Sequence, residues 1–330
     1  MPKPIVILAF IVIYVLIIAL PKRRCFVALA GALVMLPLSS LSLPAAFCKI
    51  DWNVIFMLVG TAGVVSLFID SKVPDFLSDH IIRRASKVKW AVIFLAAFTG
   101  LISAFLENVS TLLIIAPIAI EISRKLKISP VPLIITIAIS ANLQGAATLV
   151  GDPTSIMLGG YADMNFLDFF WFFGRPGIFF AVELGAIASL IVIYFLFRKE
   201  TQSGRVTAPV KIEDWFPASL ILIMIAVLIS VSVIQNKPKI TNGIICMCTL
   251  AVGILREYIT GRRERVQKIV SSIDWHTLIL LASLFVIIGG FLQTGLLDEL
   301  AVLLHKVGHG NVFVLFTLVV WGSVFISAFV

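Results

Sequence analysis

The stretch FLENVST, residues 105–111, sets a carboxylate, an amide and two hydroxyls in the middle of an otherwise apolar run over 90–120. How the chain passes through these residues decides its topology.

The surroundings leave one class of protein. Of 330 residues, 60% are hydrophobic and 13% charged, with a mean hydropathy of +1.09; a soluble domain is about 45–50% apolar. Apolar blocks of about 17–24 residues recur along the chain, each sufficient for one helical crossing. They are continuous rather than alternating, which excludes a transmembrane β-barrel. The expected fold is an all-α membrane protein, a polytopic helical bundle of roughly eight to ten helices. Spans are expected at 4–20, 25–47, 53–69, 174–197, 215–234, 243–259 and 275–292, with a broken one over 131–160. The first run is followed by its basic cluster, PKRR, and by no small-residue cleavage site, so it reads as a span and not as a signal peptide.

The net charge of +8 does not point to nucleic acid, because the basic residues cluster between apolar blocks, where their partner is the anionic cytoplasmic leaflet. Their distribution also reads the topology of 90–122. If that segment dips into the membrane and returns, one face collects Lys22, Arg23, Arg24, Lys72, Arg83, Arg84, Lys87, Lys89, Arg124, Lys125, Lys127, Arg198, Lys199, Arg205, Lys211, Arg256, Arg262, Arg263, Arg265 and Lys268. Only six Lys or Arg remain opposite. A single crossing would divide the 26 almost evenly, so the positive-inside rule favours the dip. The limb after the polar stretch, 111–122, makes about 18 Å of helix against a core of about 30 Å, too short to cross. Residues 90–122 are therefore expected to form a re-entrant hairpin entered from the cytoplasm, with FLENVST at its tip and the N-terminus outside. The preceding VPDFLSDHIIRRASKV places Asp75, Asp79, Arg83 and Lys87 on one helical face and apolar residues on the other, an interfacial amphipathic helix.

Asp51–Trp52 recurs as Asp274–Trp275, Asp75 has a counterpart in Asp298, and LISAFLENVST is echoed by FISAFV at 325–330. A first repeat over 1–197, with five spans, the hairpin 90–122 and the broken helix 131–160, contains an odd number of crossings. After a cytoplasmic linker at 198–214, the second copy, 215–330, must run upside down. Inverted repeats with paired interrupted helices are the plan of secondary transporters. On this plan the second repeat is incomplete. It lacks the second hairpin tip, the second broken span and the last helix, as expected of a truncation, an inactive fragment, or a split carrier completed by a second polypeptide.

The broken span, ISANLQGAATLVGDPTSIML at 139–158, carries Gly145, Gly151 and Pro153 as helix breakers and Asn142, Gln144, Thr148, Asp152, Thr154 and Ser155 as polar groups. Unwound backbone at membrane depth has to line an aqueous cavity or be buried in protein. Half-helix amides near Ser110–Thr111 and Thr154–Ser155 suit an anion, and free carbonyls near Asn108 and Asn142 suit Na⁺. Glu107 costs at least about 2.5–3.5 kcal/mol at the membrane centre, so a cation- or proton-binding role is expected there, the alternative being a solvated tip. Asp152 precedes Pro153 and is read as an N-cap, an ion ligand or both. Glu183, inside an intact apolar helix, is expected to pair with another helix or with Arg175. The cysteines, Cys25, Cys48, Cys246 and Cys248, read as small buried hydrophobes; Cys246 and Cys248 lie about 200° apart around a helix and cannot share a metal. His305 and His309 have no acidic residue between them, so no metal site is expected.

AFLENVSTLLIIAPIAIEI followed by NLQGAATLVGDPTSIMLG resembles the paired signature of the ion transporter superfamily, which includes arsenite permeases, the melanosomal P protein, Na⁺/H⁺ antiporters and citrate and dicarboxylate carriers. The likeness covers essentially the whole chain and is greatest to the arsenite permease and P protein branch. There the hairpin tip reads D-N-x-T/S and the broken span N-x-G-G-T-A-T-x-x-G-D-P-P-N. This chain has Glu107 for Asp, Gln144 and Ala146 in the glycine-rich portion, and Thr154–Ser155 for Pro-Asn. Asn108, Ser110, Asn142, Gly145, Thr148, Gly151, Asp152 and Pro153 match, so the resemblance implies that they line the site.

The sequence thus predicts a secondary transporter of the cell membrane that moves a small inorganic or carboxylate anion or a metalloid oxyanion, coupled to H⁺ or Na⁺. Glu107 and Asp152 would handle the cation, while Asn108, Ser110, Thr111, Asn142, Thr148, Thr154 and Ser155 would bind substrate and ion. No organic cofactor is expected, since no phosphate loop or dinucleotide fingerprint is present. Other expected partners are membrane lipid and a second copy in a homodimer. A Na⁺/H⁺ antiporter is the alternative within transport. An intramembrane hydrolase using Glu107 and Asp152 has neither G-x-S-x-G nor HExxH to support it.

Overall fold

A computed structural model of the chain describes residues 3–74, 76, 88–106, 108–109, 111–112, 115–116, 119–120, 123, 129–198, 212–232, 234, 238–295, 302, 306–307 and 311–327. Helices make up nearly all of the described architecture. The protein is an all-α polytopic membrane protein, with four helices individually long and apolar enough to cross a membrane and a bent pair that adds a fifth.

The helices fall into two compact units, residues 1–51 with 274–330 and residues 52–273. In the first unit α1 (Lys3–Ala19) meets α2 (Arg24–Leu38) at a 106° bend around Pro21. α2 packs on α12 (Trp275–Gln293), with α1 and the short α3 (Leu43–Lys49) against the pair. Its core joins Ile13, Ala28, Met35, Val286 and Ile287. α13 (Val312–Ser327) also belongs here.

The second unit is built on α4 (Trp52–Asp70), which packs on α10 (Thr241–Ile259), with α9 (Phe216–Ser232) and α11 (Arg263–Ser272) against them. Glycine permits the approach of α4 to α10: a β-carbon on Gly60 would lie 2.5 Å from the carbonyl carbon of Cys246. α5 (Val88–Ser103), α6 (Pro130–Gly145) and α8 (Ile178–Phe197) form a three-helix layer, and α7 (Pro153–Tyr161) reaches back to α4. Most of α8 faces outward, with only Val182, Ile193 and Phe197 buried.

α4 and α12, which open with Trp52 and Trp275, are both 19 residues long. In each unit one long helix packs on the helix that opens with this Trp: α10 on α4 and α2 on α12.

Two expected spans are corrected. The span at 25–47 is interrupted: Pro37 ends α2, the Ser39 hydroxyl donates to Met35 O at 2.7 Å, Ser40 takes a left-handed φ of 57°, and Ser42 caps α3. The span at 174–197 starts only at Ile178, because 171–176 forms a two-residue hairpin between β1 (Trp171–Phe172) and β2 (Arg175–Pro176). Phe173 and Gly174 both have positive φ, the backbone that such a hairpin turn requires. Cys25 and Cys246 are buried as expected, but Cys48 and Cys248 are exposed on outer helix faces. The expected amphipathic helix before α5 lies mainly outside the described residues.

Candidate functional site

The site is assembled where α5 and α6 end side by side in the second unit. After Ser103, Ala104 N–H donates to Gly100 O and Leu106 N–H to Ile102 O, both at 2.9 Å, closing a turn over 104–106. The described residues between 108 and 123 are helical. α6 stops at Gly145 and α7 starts at Pro153, so the expected discontinuity falls at 146–152. Glu107 and Ser110, both expected here, lie outside the described residues.

Ser103 joins the two ends. Its hydroxyl lies 2.8 Å from Asn108 Oδ1 and 2.8 Å from Ala141 O, and with one proton it donates to one of them at a time. Asn108 Nδ2 donates to Asn142 Oδ1 at 3.3 Å. The Asn108 carboxamide sits on Gly145, where a β-carbon would lie 2.9 Å from Nδ2 and closer still to Oδ1. From the break, the Thr148 hydroxyl donates to Ala104 O. Gly151 faces the carbonyls of Gly145, Ala104 and Ser103; a β-carbon there would lie 2.9 Å from each of the latter two and clash with the first.

Ser103 and Gly145 are the terminal residues of their helices, and carbonyls in a last turn have no intrahelical partner. Two negative dipole ends therefore meet at Gly151, where the Thr148 hydroxyl partners Ala104 O and the Ser155 hydroxyl makes a long contact, 3.5 Å, to Gly145 O. Such an arrangement attracts a cation.

At the start of α7, Asp152 takes the N-cap position that was one reading of it: Oδ1 accepts from Ser155 N–H at 2.8 Å and from the Thr154 hydroxyl at 2.7 Å. Pro153 has no N–H to offer. Of the amides expected to hold an anion at 154–155, that of Ser155 is thus already committed to Asp152, which leaves Thr154. The Ser155 hydroxyl is 3.5 Å from Gly145 O. Asn142 and Thr154 are exposed and Asn108 half-buried, forming an open lip over the buried Gly145, Thr148, Gly151, Asp152 and Ser155. Thr111 is fully buried, and its hydroxyl makes no hydrogen bond among the described residues.

Ser103 is the residue that sequence reasoning missed. Its signal was present, since it recurs as Ser327 in the repeated ISAF. Glu183 and Arg175, expected as a pair, line separate cavities.

The citrate transporter family profile matches residues 14–330. The chain belongs to the citrate transporter family. Among its relatives within and near that family, a Mycobacterium tuberculosis protein named as an uncharacterized transporter is 26% identical over 329 residues, covering 93% of this chain and 72% of the relative. The 46 kDa membrane protein of Mycobacterium leprae is 27% identical over 309 residues, covering 90% and 70%. The mouse P protein is 30% identical over 152 residues, 44% of this chain and 18% of that protein. This citrate transporter family member is a multi-pass membrane transporter rather than an enzyme.

Proposed function

We propose that the protein moves a small inorganic or carboxylate anion, or a metalloid oxyanion, across the membrane by coupling it to Na⁺ or H⁺. The observation that carries this reading is the meeting of the α5 and α6 C-terminal ends at Gly151, where carbonyls of Ser103, Ala104 and Gly145 converge beside Asn108. Helix C-termini and unwound carbonyls are the groups with which transporters hold a coupling cation. The substrate would sit at the open lip, against Asn108, Asn142, the Thr154 amide and hydroxyl and Ser110. A bound cation would supply the charge that draws an anion to this lip, whose described residues Asn108, Asn142 and Thr154 carry none. The two 19-residue helices opening with Trp52 and Trp275, each with one long helix packed on it, support an inverted-repeat carrier.

The Asp152 cap also favours a second reading, a Na⁺/H⁺ antiporter, because it places a carboxylate where an anion site was expected. A panel of radiolabelled arsenite, sulfate, citrate and Na⁺ fluxes in proteoliposomes, under imposed Na⁺ and pH gradients, separates the two. Accumulation of an anion driven by either gradient supports the first reading. Na⁺ flux that answers to pH and to no anion replaces it with the second.

A further inference from the structure

A cavity of about 370 Å³ lies between α5, α6 and α8. Its wall is mainly apolar, with Phe170 and Phe179 among the lining, but it also carries Ser140, Gln144, Glu183 and Ser189. Gln144 follows Asn142 by two residues, about 200° around α6, so it faces away from the lip described above. Gly100 makes room for it: a β-carbon there would lie 2.8 Å from Gln144 Cγ. Gln144 is 9% exposed, and its Oε1 is buried without a hydrogen-bond partner among the described residues.

Among the described residues, Glu183 is the one titratable group lining the cavity. On the packed elements, α5 carries Lys89, which sits 5.3 Å over the Tyr194 ring of α8, and α6 carries no charged residue. In the turn before α8, Asp168 accepts the Asn165 N–H at 2.6 Å, and Arg175 lines the other cavity. Among the described residues, no cation borders the cavity to neutralise Glu183.

Two unfavourable features thus border one cavity from facing helices: on α8 a half-buried carboxylate without a countercharge among the described residues, and on α6 a carboxamide oxygen without a donor. A single event relieves both. A solvent proton added to a Glu183 carboxylate oxygen removes the charge and creates an O–H donor in the cavity that Gln144 also lines. A cavity of this volume with several polar groups on its wall can hold the water that delivers the proton. Gln144 immediately precedes Gly145, the residue on which Asn108 rests.

We propose that Glu183 is a proton-binding site served by this cavity, and that Gln144 carries its protonation state to the break between α6 and α7. The proposal rests on the transport reading for its purpose but not for its test. In the full chain in lipid nanodiscs, infrared difference spectra taken as pH is lowered should show a protonated-carboxyl band that is lost in Glu183→Gln. In Gln144→Leu the band should persist with its midpoint moved by about one pH unit, since a hydrogen-bond partner of the neutral form has gone. A band unchanged in Glu183→Gln overturns the proton site. An unmoved midpoint in Gln144→Leu overturns the relay, and that variant keeps the proposal testable if Glu183→Gln does not fold. The band requires no transported solute, so failure of the anion panel and failure of this proposal are separate results.

Discussion

The Asn108 carboxamide rests directly on the Cα of Gly145, leaving no room for a methyl group. Gly145→Ala should therefore displace Asn108 while α6 still forms, since alanine is a better helix former than glycine. We expect uptake to fall on the order of tenfold or more, because small misplacements of a positioning group are costly. The unfolding midpoint should also fall, from overpacking. Truncating the neighbour in Gly145→Ala/Asn108→Ala relieves the clash, so the midpoint should recover while uptake stays lost. Thermal unfolding in detergent and proteoliposome uptake measure the two; a double variant no more stable than Gly145→Ala would show that the contact is not the cause.

Ser103→Ala removes the hydroxyl that sits 2.8 Å from both Asn108 Oδ1 and Ala141 O. The stability cost should be about 1 kcal/mol, the net worth of one such bond. The functional cost should be larger than that of Thr99→Ala, whose hydroxyl serves only the Leu95 carbonyl within the same helix. Paired uptake and unfolding measurements on the two variants test this. Equal uptake would remove Ser103 from the site.

Both residues show where the sequence was readable. The helical class, the break between Gly145 and Pro153 and the capping reading of Asp152 follow from hydropathy, helix breakers and cap chemistry, all of which act over a few residues. The interruption at 39–42 was not readable, because Pro37 is tolerated within an apolar run and Ser40's left-handed turn carries no glycine to announce it. The hairpin at 171–176 was hidden by its aromatic, span-like composition. Ser103's role depends on α5 and α6 ending side by side, a tertiary fact that no local pattern encodes. Gln144 faced the same difficulty: its polarity was visible, but not its separation from Asn142 by the body of α6.

The contact between α4 and α10 makes a prediction about folding rather than transport. A β-carbon at Gly60 would meet the Cys246 backbone, at 2.5 Å from its carbonyl carbon and 2.7 Å from its oxygen. Side-chain rearrangement cannot remove such a clash, so Gly60→Ala must push the helices apart, at a cost of about 1–3 kcal/mol or more. Cys246→Ala should not rescue it. At Gly63 the obstacle is the Leu250 side chain, so Gly63→Ala should be partly rescued by Leu250→Ala. Folded yield and unfolding midpoint measure both pairs; rescue of Gly60→Ala by Cys246→Ala would contradict the backbone contact.

The ends of α9, α10 and α11 are tied by an ion cluster with a defined pH response. Arg256 bonds Asp214 and, at 2.7 Å, Glu257; Arg262 reaches Asp214 at 3.3 Å and Arg265 reaches Glu213 at 2.8 Å. Burial pushes the Asp214 carboxyl up, but the Arg256 hydrogen bond, the Phe216 N–H and the charges of Arg256 and Arg262 outweigh it and hold the group below its ordinary 3.8. A carboxyl whose pKa is lower folded than unfolded gives its full stabilisation above the unfolded value, and loses it as pH falls through the folded one. Unfolding stability should thus hold from neutral pH down to the ordinary carboxylate range and decline below it. Asp214→Asn should lower neutral-pH stability by about 1.5–3 kcal/mol, the worth of charged hydrogen bonds, and flatten that acid decline. Glu257 is 1% exposed, with Arg265 at 3.8 Å and Arg262 at 4.0 Å from Oε2. Removing it leaves the half-buried Arg256 to Asp214 alone and Arg265 to Glu213, so Glu257→Ala should cost about 1.5–3 kcal/mol as well. Denaturant unfolding across pH compares the three proteins; an acid decline in Asp214→Asn as steep as in the parent would assign it to other carboxylates.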